Sequence, residues 1–96
     1  MTLHPKVNPT RRYQLACEQM PLAVYREVAA HLQQVRGVQT ELIWQQSQTF
    51  DYQQSQIGGL WIEQPVDLDA TEQRYLETIL AFYQERYGLW VTKDPA

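Results

Sequence analysis

Cysteine, histidine and long apolar runs are all scarce in this sequence, and each scarcity closes off a class of function. The single cysteine, Cys17, has no second thiol with which to form an internal disulfide. Asn8-Pro9-Thr10 fails as a glycosylation acceptor because proline holds the middle position. Both facts fit a reducing compartment, and a cytoplasmic location is expected. His4 and His31 lie in different segments from each other and from the lone thiol, so no metal-ligand spacing exists; neither a metal nor another cofactor is expected. No apolar run approaches the ~20 residues that span a bilayer, and MTLHPKVNPTRR lacks an apolar signal region and a small-residue cleavage site. The expectation is a soluble chain with no membrane contact.

A broad basic stripe is missing too. Residues 1–36 carry Lys6, Arg11, Arg12, Arg26 and Arg36 against Glu18 and Glu27, a balance of +3, while the rest of the chain carries three cations against nine acids, a balance of −6. A basic front on an acidic body, with a pI near 5.2, argues against a dedicated nucleic-acid binder.

What is present is one domain's worth of core. The 96 residues are 44% hydrophobic and 11% aromatic, enough for a packed interior but not for a deep cleft. Residues 1–11 have no periodicity and contain Pro5 and Pro9, and they read as a flexible arm. Over 12–18, Tyr13, Leu15 and Cys17 alternate with Gln14, Ala16 and Glu18, a strand pattern. A short helix started by Asn8 and Pro9 competes with it, and the strand is preferred.

Leu22, Tyr25, Val28, Ala29, Leu32 and Val35 then mark the apolar face of a helix over 21–35, opened by Pro21 and closed by Gly37. Residues 38–44 alternate as a half-buried strand, with Val38, Thr40, Leu42 and Trp44 on one face and Gln39, Glu41 and Ile43 on the other. The glutamine-rich stretch 45–56 intervenes before a second strand, 57–63, which is bounded by Pro65 and forms a hairpin with the first. Asp69 and Glu72 have the capping-box spacing ahead of a helix over about 70–87, which Gly88 closes. Residues 89–92 have β propensity, and 93–96 form a tail. The sum is a single α+β domain over 12–92, two helices on one face of an antiparallel sheet in the ferredoxin-like order β-α-β-β-α-β; without the outer strands it reduces to α-β-β-α.

Function is sought first on the sheet face turned away from the helices. Ile43, Ile57 and Trp61 fall there among Gln39, Glu41 and Glu63, too apolar a set for a fully solvated face. Either the arm, with Leu3 and Val7, or Trp90 folds over it, or a second copy covers it in a homodimer. Gly58-Gly59 inside the strand calls for a bulge or a close backbone approach, and lacks the lysine and following helix of a phosphate cradle. An open face with aromatics invites comparison with RNA-recognition domains, yet 57–63 offers one aromatic there, no adjacent cation and a flanking glutamate, so nucleic acid is not the expected partner. Phe50, Asp51 and Tyr52 form a candidate recognition loop, weighed against simple extension of the hairpin.

No catalytic constellation emerges. Nothing brings Cys17 to His31, and Cys17 reads as a small buried residue. His31, four residues after Glu27, reads as half of a local surface pair, and Asp67 and Asp69 as helix-start acids. The expectation is a non-enzymatic interaction or regulatory module, homodimeric or bound to another protein. The alternative is a small-molecule sensing domain that binds ligand at a subunit interface or near Gly58-Gly59.

Overall fold

A computed structural model describes residues 9–44 and 57–93. Six elements follow one another: β1 (Thr10–Ala16), α1 (Leu22–Leu32), β2 (Gln39–Trp44), β3 (Ile57–Pro65), α2 (Ala70–Tyr87) and β4 (Val91–Lys93). The strands form one antiparallel sheet in the order β2-β3-β1-β4, with both helices on one face. The class is therefore α+β with an open four-stranded sheet, and both outer segments of the hairpin-and-helices unit are strands.

Cross-strand register assigns the faces. Tyr13 pairs with Ile62 and Leu15 with Leu60, while Thr40 and Leu42 of β2 meet the same two β3 residues. Opposed residues share a face, so this set lines the helix side. Leu60 and Ile62 are fully buried there under Tyr25, Val28 and Leu32 of α1 and Leu76, Ile79 and Tyr83 of α2. Each such side chain contributes on the order of 1.5–3 kcal/mol relative to leaving it exposed. Thr40 ties the layers further, its hydroxyl donating to the Ala29 carbonyl at 3.0 Å.

The helix ends follow local chemistry. The Asp69 side chain accepts from Thr71 N at 3.1 Å, satisfying one of the unpaired first-turn donors of α2. At the far end Gly88 takes φ 115° and ψ 177°, a region almost confined to glycine, and its N–H bonds Gln84 O as the chain turns toward β4. Helix α1 stops at Leu32, three residues short of the span its periodicity predicts. Leu32, Val35 and Val38 recur every third residue, and the chain obeys that spacing: Val35 N bonds Leu32 O and Val38 N bonds Val35 O, three residues apart in each case. Such turns are tighter than an α-helix and still bury Val35 and Val38.

Two strand details also depart from expectation. Trp44, placed by alternation on the helix side, is 52% exposed. The register breaks beside it: Ile43 faces Gly59 and Trp44 faces Ile57, so Gly58 is an extra residue in β3, and Trp44 itself is the last residue of the edge strand β2. Pro65, expected to bound β3, is its last residue and faces Thr10, beyond the point where β2 begins at Gln39 opposite Glu63. Its missing N–H therefore costs no bond to β2.

Candidate functional site

The sheet face opposite the helices has an apolar end and a charged end. At the apolar end, register sets Val91 of β4 beside Ala16 of β1, and Ile43 of β2 beside Gly59 of β3. Gly59 is the low point of this band. A Cβ built on it would lie 3.5 Å from Ile43 Cδ1, 3.6 Å from Ala16 Cβ and only 2.9 Å from the Leu15 carbonyl oxygen. The glycine is thus required by a close backbone approach, one of the two reasons the sequence suggests for the pair, and the bulge at Gly58 is the other. Val91 is 55% exposed, so the band opens to solvent at the β4 edge.

Two residues further along the strands, Trp61 pairs with Gln14 on one side and Glu41 on the other, and Glu63 pairs with Arg12 and Gln39. The Arg12 side chain crosses β3 diagonally. Its guanidinium carbon sits 4.2 Å from the centroid of the Trp61 ring, and Nη2 reaches Glu41 Oε2 at 3.1 Å. Both ends of the ion pair are well exposed, a setting in which it contributes about 0–1 kcal/mol, with a similar amount from stacking. Around this stack lies a shallow depression of about 230 Å³, lined by Arg12, Gln39, Thr40, Glu41, Trp61 and Glu63.

The sequence-derived candidates divide accordingly. Ile43 and Trp61 share the open face as expected but have different neighbours, one over a glycine and the other under a guanidinium. The side chain of Ile57 lies outside the described residues, as do Phe50, Asp51 and Tyr52 and the arm residues Leu3 and Val7. Trp90 does not cover the open face. It packs edge-on to Tyr25 on the helix side and donates from Nε1 to Leu80 O at 3.0 Å. The cation absent from the sequence around Trp61 is supplied from β1 instead. The sequence shows Arg12 only as one cation of a basic front, because its alternation with Tyr13 and Leu15 is the one local signal for the open face and nothing local reveals that β1 lies next to β3.

Elsewhere polar groups are tied into structure. Buried Gln64 accepts from the Tyr13 hydroxyl at 2.6 Å and donates to Gln73, which donates to Glu77. His31 and Glu27 do not pair directly. The Tyr83 hydroxyl stands between them, donating to Glu27 Oε2 at 3.0 Å and lying 3.3 Å from His31 Nδ1, so the expected surface pair is a link across the two helices. Burial, reinforced by the Glu27 carboxylate, pushes the Tyr83 hydroxyl up to about 12. Cys17 is buried near the carbonyls of Tyr87 and Gly88, among partners that His31 does not share.

Among the described residues, no group of three or more His, Cys, Asp or Glu is placed to hold a metal ion, and no helix is long and apolar enough to cross a membrane. No family model matches the chain, and no curated protein or solved structure is significantly similar to it.

Proposed function

We propose that this protein is a non-enzymatic interaction module of ferredoxin-like architecture that self-associates through the open face of its sheet. The strand order, taken from the other edge as β4-β1-β3-β2, supports the architecture: β3 separates β1 from β2, the interleaving of a split β-α-β unit. The observation that carries the association is the band of Val91, Ala16, Gly59 and Ile43, apolar across all four strands on the face where neither described helix lies. A second copy is a fitting cover. An isologous contact sets residue i against j and j against i, and this face carries Arg12 together with Glu41 and Glu63, charges of both signs that complement each other under a two-fold. A free, buried Cys17 is compatible with the reducing cytoplasm proposed as its location.

Light scattering coupled to size-exclusion chromatography tests the proposal. The wild type is expected to elute as a dimer, and Ile43→Lys as a folded monomer of unchanged circular dichroism. A monomeric wild type at high micromolar concentration overturns it. The second reading, small-molecule sensing, is supported by the depression beside Trp61. A screen of metabolites for a raised melting temperature favours it if a single compound class shifts wild type and not Trp61→Ala.

A further inference from the structure

We infer that the depression around Trp61 is an arginine-recognition site, held in the isolated chain by its own Arg12 and taking in its place an arginine side chain of a partner polypeptide. The inference rests on the open face being the interaction surface, though not on the identity of the molecule covering its apolar end.

The site already displays the chemistry it would use. An indole face with a guanidinium 4.2 Å above its centroid is a formed cation-π contact, and the carboxylate of Glu41 receives that guanidinium's Nη2. Glu63 and Gln39 line the same depression, so two carboxylates and an amide share it with one cation. The lining is therefore net acidic even with Arg12 in place. A planar fork of donors can lie flat on the ring while reaching the carboxylates at its edge, a geometry the ammonium of lysine lacks.

Arg12 is a weakly held occupant. It arrives from the neighbouring strand, about half of its side chain is exposed, and its acidic partner Glu41 is 70% exposed. Contacts of that kind are readily exchanged for equivalent ones. The same acidic lining favours any guanidinium. The open face on which the depression lies is wide enough to meet a polypeptide rather than enclose a free amino acid, whose α-ammonium and carboxylate offset one another beside Glu41 and Glu63.

The test follows the Trp61 indole N–H resonance, assigned among the three tryptophans by comparison with Trp61→Phe. Wild type and Arg12→Ala are titrated at low ionic strength with N-acetyl-arginine amide, N-acetyl-lysine amide and free arginine. Arg12→Ala is expected to show a saturable shift with the capped arginine, about two- to fivefold tighter than wild type because the internal competitor is gone. The lysine amide should bind more weakly, free arginine should bind no more tightly than the capped form, and Trp61→Ala should lose the response at the other reporters on the face. Arg12→Gln serves as a second vacated site should Arg12→Ala fail to fold. No saturable shift in either variant overturns the inference, as does an equal response to the lysine amide. Tighter binding of free arginine than of the capped form overturns the polypeptide as source. Light scattering on the wild type reports self-association alone, so that reading and this one fail separately.

Discussion

The Tyr25 hydroxyl closes on both backbone groups of Cys17, accepting from its N–H and donating to its carbonyl, each at 2.8 Å. Cys17 follows the last residue of β1, where the strand ladder ends inside the core, and the phenol takes over its role.

Tyr25→Phe changes side-chain volume little but leaves that N–H buried without its partner, while the carbonyl keeps the Met20 N–H at 3.1 Å. It is expected to cost about 1–3 kcal/mol, measured as a drop in the urea midpoint at constant slope. A loss below about 0.5 kcal/mol would show that the N–H finds another partner.

Gly59→Ala sets a methyl 2.9 Å from the Leu15 carbonyl oxygen, at a glycine whose φ is 158°. Backbone cannot rotate aside as a side chain can, so β1 and β3 must separate locally. The expected loss is about 1–3 kcal/mol, with exchange protection falling first at the β1–β3 amides.

Gln64 offers a test of buried polar linkage. Gln64→Leu strands the Tyr13 hydroxyl and the Gln73 side chain, and should cost about 1–3 kcal/mol. Adding Tyr13→Phe removes one stranded group, so the double variant should be less destabilised than the two single effects added together. Strict additivity would dissolve the linkage.

Alkaline titration should reveal the tyrosines. Tyr83 is pushed from its ordinary 10 up to about 12, and burial also raises Tyr13 and Tyr25. The folded chain then holds protons that the unfolded chain releases above pH 10. Their contribution is complete below pH 10 and is lost as pH rises toward 12. Tyr83→Phe should flatten that decline in chemical denaturation, and an identical slope would show that Tyr83 ionises normally.

Much of the architecture was legible in the sequence because its signals are local. Helix α2 runs from Ala70 to Tyr87, as the Asp69 cap and Gly88 imply, and β1 was visible in the alternation of Tyr13 and Leu15. The site was less legible because it is made by pairing. Arg12 and Trp61 lie 49 positions apart and meet only because β1 runs beside β3. Tyr83 intercepts Glu27 and His31 from another helix, and Trp44 is exposed at the end of a strand that the sheet order places at an edge. These departures arise where a distant element alters what a local pattern means, whereas the early end of α1 is itself local, set by the three-residue spacing of Leu32, Val35 and Val38.

The sheet order has a consequence for folding. The first strand in the chain lies inside the sheet, yet both of its neighbours are made much later: β3 begins at Ile57, and β4 pairs Lys93 with Gln14. Helix α1, β2 and β3 can assemble over shorter loops while β1 waits with its Leu15 side chain unburied. Closure over such sequence separation is entropically slow. The rate-limiting event should be the docking of β1 between β3 and β4, and substitutions at the β1–β4 contact should slow folding more than they speed unfolding.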